Sequence, residues 1–303
     1  MLDITVVILT YNEEKHIERC IQSIKKYSDN IYIIDSYSTD STIQLCKSLN
    51  VNILQNKFIN QSKQFAWALD NINFKTEWIL RLDADEYLED SLIIEIKNKL
   101  PNVTKDIVGI NLKRKHIFMD KWIKFGGRYP LILLRLWRNG HGYIEDRWMD
   151  EHIMVEGGKT ITFKNNFCDH NLNNLSFFIN KHDWYAGREV VDILSDKLKI
   201  KDEKKKLSIK NTSLNASLKR YLKENFYNRL PIGLGPLLYF IYRYIFLLGF
   251  LDGKVGLIYH FLQGFWYRFL VESKLIEYKK VIKGLDNNNE IIKKLSELPS
   301  IKS

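Results

Sequence analysis

Three carboxylates fall within four positions in the run Arg81-Leu82-Asp83-Ala84-Asp85-Glu86. On extended backbone the side chains alternate, so Asp83 and Asp85 project to the same side. Two hard oxygen donors aimed at one point suit a divalent cation that keeps its other sites for water and phosphate oxygens. Taken alone, the same residues would equally make an acidic turn ahead of a helix. The surrounding sequence has to decide.

What must position these groups is an alternation of strands and helices. Residues 4–9 are a continuous apolar, β-branched run, the pattern of a strand buried on both faces. Asn12 is placed to cap a following helix, with Glu13 and Glu14 in its first turn. Ile17, Cys20, Ile21 and Ile24 keep the spacing of one helix face. Residues 31–34 read as a second strand, followed by a helix carrying Ile43, Cys46 and Leu49. A short strand at 51–54, a helical face of Phe65, Ala66, Leu69 and Ile72, and a strand at 78–80 complete the series. Such repeats imply a mainly parallel open sheet, in which ligands collect at the carboxyl ends of the strands. The residues just past those ends are Thr10-Tyr11-Asn12-Glu13, Asp35-Ser36 and Asp83 to Glu86. Polar groups therefore converge on one sheet edge, which favours the cation over the acidic turn. Further strands are expected at 107–112, 131–137 and 160–163, with a basic, aromatic excursion between residues 113 and 129.

These segments together resemble glycosyltransferase family 2, the inverting nucleotide-sugar transferases with a GT-A fold. The resemblance is carried by Val6-Val7-Ile8-Leu9-Thr10-Tyr11-Asn12-Glu13-Glu14, by Ile33-Ile34-Asp35-Ser36-Tyr37-Ser38-Thr39-Asp40-Ser41-Thr42 and by Leu82-Asp83-Ala84-Asp85-Glu86. Within the family, Asp35-Ser36, Asp150-Glu151-His152 and Gly249-Phe250-Leu251-Asp252-Gly253 look most like the bacterial lipooligosaccharide and lipopolysaccharide β-1,4-glucosyltransferase subgroup. The likeness covers residues 1–175 and is weaker beyond.

The resemblance implies an α/β GT-A domain, an open mixed sheet flanked by helices. Thr10, Tyr11, Asn12 and Glu13 would border the nucleotide, Tyr11 offering its ring to uracil and Asp35 accepting the imide proton. Asp35 read on its own is also a helix N-cap. Lys63, Gln64, Arg81 and Ala84 would lie along the donor, although Lys63 equally reads as a solvated helix charge. Asp85, Asp83 and His170 would hold Mn²⁺ or Mg²⁺, a Lewis acid for the departing diphosphate, with Asp85 on the metal itself and Asp83 reaching the ribose or a metal-bound water. A carboxylate opposite the leaving group, Glu151 or Asp150, would take the proton of the attacking hydroxyl. Asp146 sits beside them, placed to pair with Arg147.

Composition bounds the remainder. The 303 residues carry a formal charge of +10 and 13% aromatics. From Lys197 to Arg229, eleven Lys or Arg stand against three acids, a net +8. Residues 230–251 and 255–271 are apolar and aromatic. Pro231, Pro236 and Arg243 interrupt the first, and His260, Gln263 and Arg268 the second, so neither reads as a membrane span. Beside a polybasic stretch they read as interfacial helices on an anionic membrane, with burial in a helical subdomain as the alternative. No nucleic-acid motif accompanies the basic run, so a nucleic-acid partner is not expected. The expected domains are a catalytic domain (1–195), a basic connector (196–229) and a membrane-associating helical region (230–303). Cys20, Cys46 and Cys168 are odd in number and widely spaced, as buried free thiols of a reducing compartment would be. No signal peptide is read at the N-terminus.

The expectation is a metal-dependent inverting hexosyltransferase at the cytoplasmic face of a bacterial inner membrane. It would move glucose from UDP-glucose, or GlcNAc, Gal or GalNAc from their UDP-sugars, to a lipid-linked acceptor glycan. Polyprenyl phosphate as acceptor, and an inactive membrane-docking scaffold, are the rivals. A sugar-phosphate nucleotidyltransferase would need a Gly-rich loop where Thr10-Tyr11-Asn12-Glu13-Glu14 stands.

Overall fold

The computed structural model describes residues 1–145, 152–197 and 230–285, with 287, 290–291, 294–295 and 297–298 beyond them. They fall into two compact units, Met1–Asn173 and Asn174–Ser303.

The first unit opens with β1 (Ile4–Thr10), α1 (Ile17–Lys25), β2 (Ile31–Asp35), α2 (Thr42–Ser48), β3 (Asn52–Gln55), α3 (Gln61–Asn71) and β4 (Trp78–Asp83). There follow β5 (Glu86–Leu88), α4 (Asp90–Lys99), β6 (Ile107–Phe118), β7 (Lys121–Ile123), β8 (Leu131–Arg138), β9 (Gly142–Ile144), β10 (Ile153–Val155) and β11 (Lys159–His170). Nine strands form one mixed sheet in the order β3-β2-β1-β4-β8-β6-β11-β5, with β7 paired to β6; β9 and β10 pair separately. β8 runs antiparallel to both β4 and β6, while β11 runs parallel to β6. Two reversals restore direction, so the carboxyl ends of β1, β2, β4, β6 and β11 share one edge. Ile4, Val6 and Ile8 face a core with α1 and α4, and Val7, Ile34 and Ile79 face another with α3. That two-sided burial is why β1 reads as an unbroken apolar run.

Two strands are longer than their apolar cores indicate. β6 continues through Lys113–His116 and β11 through Asn166–His170, because those residues remain paired in the ladder. β11 carries an irregularity between Thr162 and Asn166 that frees backbone N–H groups. The Glu95 carboxylate of α4 takes them, accepting from Lys164 N at 2.9 Å and Asn165 N at 2.8 Å.

The second unit is helical: α5 (Leu175–Lys197), α6 (Leu234–Ile241), α7 (Gly253–His260) and α8 (Tyr267–Val281), with π-helical turns at Tyr242–Phe246 and Phe261–Trp266. Ala186, Val190 and Leu194 of α5 pack with Tyr267, Val271 and Tyr278 of α8. This packing puts α5 with the second unit, whereas a boundary at 195 would put it with the first. No single described helix is long and apolar enough to cross a membrane. One pair, Leu234–Phe246 and Gly249–Val281, passes that test together but is bent by 72°.

Candidate active site

The strand-end loops are laced to one another before any ligand is considered. Asn12 does not cap α1, which begins at Ile17. Its backbone is left-handed (φ 54°), a conformation Asn tolerates, and its side-chain Oδ1 accepts from Thr39 N at 2.8 Å. Asn12 N donates to Ser38 Oγ and Glu13 N to Thr42 Oγ1, each at 2.8 Å. The loops after β1 and β2 therefore hold as one layer, from which the Tyr11 ring stands out, 57% exposed. An exposed aromatic face on a fixed backbone is a stacking platform for a planar base.

Asp35 is fully buried below that layer. Its oxygens accept from Thr10 Oγ1 (3.2 Å), Ser38 N (2.9 Å), Ser38 Oγ (2.5 Å) and Gln55 Nε2 (3.0 Å). A carboxylate has about four acceptor positions, and here all are used. In this geometry Asp35 shapes the loop, with protein donors at the acceptor positions expected to read the imide proton. Gln64 is likewise buried, donating to Ser36 Oγ and the Asn56 carbonyl and accepting from Asn56 Nδ2. It locks α3 to the β2 loop. Lys63 is exposed, its backbone N–H capped by Asn60 Oδ1 at 2.8 Å.

The acidic run splits into two roles. Arg135 of β8 bonds Asp83 Oδ2 at 3.2 Å and Glu86 Oε1 at 2.6 Å, and Glu86 Oε2 accepts from Asp83 N at 2.9 Å. Arg81, stacked 5.2 Å over Phe65, lies 3.5 Å from Asp83 Oδ1. Burial would raise the Asp83 carboxyl, but Arg135 and then Arg81 outweigh it and hold the group at about 2. Asp83 is thus an ionised strut between guanidinium groups. Ala84 is buried beside it.

Asp85 meets His170 instead. His170 N donates to the Asp85 carbonyl at 3.0 Å, and Asn171 Nδ2 donates to Asp85 Oδ2 at 3.1 Å. Arg19 of α1 clasps the junction, 3.1 Å from His170 Nδ1 and 2.5 Å from the His170 carbonyl. A guanidinium only donates, so Nδ1 is the acceptor and the ring proton sits on Nε2, which donates to Asp120 Oδ1 at 3.0 Å. Burial, and next the Arg19 charge, lower the His170 pKa, which keeps the ring in the neutral form that ligates metals.

Among the described residues no three His, Cys, Asp or Glu side chains converge to hold a metal ion. The expected set of Asp83, Asp85 and His170 is therefore not assembled, because Asp83 is committed to Arg135 and Arg81. Asp85 and His170 meet through their backbones, while the Asp85 carboxylate is held by Asn171 and the His170 ring by Arg19 and Asp120. A carboxylate and a neutral imidazole are donor types that suit a divalent cation which completes its shell with diphosphate oxygens and water. Glu151, Asp150 and Asp146 lie outside the described residues.

Arg19, Arg135, Asp120 and His16 escaped the sequence reading. His16, buried, donates through Nδ1 to Glu13 Oε2 (2.6 Å) and accepts from Leu172 N (2.8 Å), tying the β1 loop to the residues after His170. Their only sequence signal is a charged or polar residue on an otherwise apolar element, as with Arg19 and Arg135. Cys20, Cys46 and Cys168 are all free and buried.

Residues 5–170 match the family model described as "Glycosyl transferase family 2". An uncharacterized glycosyltransferase of Rickettsia bellii is 36% identical over 94 residues, 31% of this chain and 31% of that protein's length. The lipopolysaccharide core biosynthesis glycosyltransferase LpsC of Rhizobium meliloti is 28% identical over 162 residues, 52% of this chain and 58% of LpsC. The match thus spans about a third of the first relative and less than two thirds of the second. A glucosyl-3-phosphoglycerate synthase from Mycobacterium tuberculosis, solved with Mn²⁺ and UDP, overlays 37% of this chain and 43% of its own, at 19% identity and a TM-score of 0.31.

Proposed function

Because the chain belongs to glycosyltransferase family 2, we propose that it is an inverting hexosyltransferase that moves glucose from UDP-glucose to a lipid-linked acceptor in bacterial surface-glycan synthesis. The observation that carries this reading is the backbone hydrogen bond from His170 N to the Asp85 carbonyl, which brings these two residues together at the carboxyl edge of the sheet. The likeness to LpsC supports a lipopolysaccharide-type acceptor, and the subgroup motifs support glucose. Such an acceptor lies in the inner membrane, so the enzyme would work at its cytoplasmic face.

In this reading the Tyr11 ring receives the uracil, and the layer fixed by Asn12, Ser38 and Asp35 sets its height. Asp85 and His170 would hold Mn²⁺ or Mg²⁺, which would offset the charge developing on the departing diphosphate. Arg19 holds the Asp85 and His170 backbones and the His170 ring, and Arg135 pairs with Asp83 and Glu86. Glu151, with Asp150 as the alternative, takes the acceptor hydroxyl's proton as that oxygen displaces the diphosphate from the opposite face.

The test is a panel of UDP-glucose, UDP-galactose, UDP-GlcNAc and UDP-GalNAc, with a lipid-linked glycan or polyprenyl phosphate as acceptor, with and without Mn²⁺. UDP-glucose with the lipid-linked glycan is expected to turn over. Asp85→Ala should lower turnover by roughly a thousandfold, the scale of losing a central electrostatic contact in a transition state. Unchanged metal-dependent turnover in that variant would refute the role of Asp85.

A further inference from the structure

The bend of the second unit carries an arrangement that water alone does not explain. Residues 244–251 read Tyr-Ile-Phe-Leu-Leu-Gly-Phe-Leu, eight positions without a charge. They form the apex where Leu234–Phe246 turns by 72° into Gly249–Val281. At this apex Ile245 is 53%, Phe246 72% and Leu251 52% exposed, with Leu248 and Phe250 close behind. The polar residues of the same stretch point the other way. Arg243 is 8%, Asp252 3% and His260 0% exposed. The Arg243 guanidinium lies 5.6 Å from the Tyr239 ring and 6.0 Å from the Tyr259 ring, and His260 Nε2 stands 3.7 Å from Asp252 Oδ2.

Glycine makes that polar interior compact. A Cβ on Gly249 would fall 2.7 Å from the His260 ring and 2.9 Å from the Arg243 carbonyl, and one on Gly256 would fall 2.4 Å from Asp252 Cβ. Leu248 (φ 59°) and Gly253 (φ 68°) take left-handed backbone, so the tip is a built turn. Arg243 therefore does not place a charge on the outer face, although in sequence it splits the apolar run.

We infer that this bent tip, residues 244–251, is a wedge that inserts into one leaflet of an anionic bilayer. Three observations select lipid. The tip presents apolar side chains outward at a convex bend, with the polar groups of the same stretch turned inward. The sequence just before it carries the net +8 stretch from Lys197 to Arg229, complementary to anionic headgroups. The first arm, thirteen residues from Leu234 to Phe246, is about 20 Å long at helical rise, short of the roughly 30 Å hydrocarbon core. Neither arm alone is long and apolar enough to cross, so in this proposal the chain enters and leaves on one side. Exposed Lys254, three residues past the tip, sets the depth, since its stem can lie in apolar surroundings only while its ammonium stays at the headgroups. The membrane-bound acceptor of the proposed function makes such a wedge useful, but the wedge itself is testable without any sugar donor.

The experiment uses the full chain with phosphatidylethanolamine–phosphatidylglycerol vesicles and, for comparison, phosphatidylcholine vesicles. Phe246→Cys carrying a bimane label, with the three native cysteines buried, should be quenched by lipids brominated high in the acyl chain more than by those brominated near its end. Phe246→Ser combined with Leu251→Ser, both at exposed positions, should weaken partitioning into the anionic vesicles by roughly a hundredfold, as losing two buried apolar side chains implies. Phe246→Leu should keep it. An unquenched label, or a double variant that floats with vesicles as the parent does, overturns the inference. So does light scattering that finds a dimer abolished by the double variant with no vesicle binding, since a second copy would then cover the tip. UDP binding, measured by calorimetry without vesicles, reports separately on the proposed activity.

Discussion

The two units bury opposite things. In the first, apolar side chains fill both faces of the sheet, and charge enters the interior only where a partner meets it, as Arg135 meets Asp83 and Glu86. In the second, near the bend, Arg243, Asp252 and His260 are inside while Ile245, Phe246 and Leu251 are outside. Apolar surface in water is unfavourable in proportion to its area, so the first pattern suits water and the second suits an apolar neighbour. The contrast also separates two kinds of precision. The first unit fixes polar groups at the sheet edge by charge pairing. The second shapes a surface by packing backbone against side chain at glycine.

The contrast breaks most visibly at Arg135. Arg135→Met keeps much of the volume but leaves buried Glu86 and half-buried Asp83 without their shared guanidinium. Removing one member of a buried ionic cluster costs about 3–5 kcal/mol, which denaturant unfolding would read as a lower midpoint. A variant as stable as the parent would mean that pairing does not organise the acidic run.

A smaller effect sharpens the same side. Burial alone would raise the Glu95 carboxyl, but the Lys164 and Asn165 N–H groups and Lys99 outweigh it and lower the group to about 2 from an ordinary 4.5. A depressed folded pKa stabilises above the unfolded value and is lost as pH falls through the folded one. Glu95→Gln should therefore cost about 2–3 kcal/mol at neutral pH, and its gap to the parent should close between pH 4.5 and 2. A gap that stays constant across that range would show that the carboxylate's charge does not hold the β11 bulge.

Much of this was legible in the chain. The buried strands β1, β2 and β4 announced themselves as apolar runs, and their ends placed Thr10, Asp35 and Asp83 on one edge. What the sequence hid was direction and partnership. Nothing local says that β8 inverts between β4 and β6, so Arg135 was invisible as the partner of Asp83. Nothing local says that Gln55, Ser38 and Thr10 would use up the acceptors of Asp35. The helix start was misplaced because Asn12 spends its side chain on a loop 27 residues away along the chain but adjacent in space, at Thr39. In the second unit, Arg243 looked like a break in an apolar helix. Only the fold shows that it turns inward against Tyr239 and Tyr259.

The other side of the contrast is tested at Gly256, where the expected effect is smallest. If the polar interior of the bend is packed as tightly as a core, adding a methyl group must push Asp252 away, since the new Cβ would lie 2.4 Å from Asp252 Cβ, an atom close to the backbone with little room to yield. Overpacking of this kind costs about 1–3 kcal/mol, offset by up to about 1 kcal/mol because alanine favours helix over glycine. Gly256→Ala should therefore lower stability by about 1–2 kcal/mol in thermal unfolding, while Gly284→Ala, whose Cβ meets nothing within 4 Å, should show only the strain of its left-handed backbone (φ 84°). If Gly256→Ala instead stabilises the protein, helix propensity has won over packing. The interior around Asp252 would then be loose, and the outward apolar face would lack the rigid support that makes it a wedge.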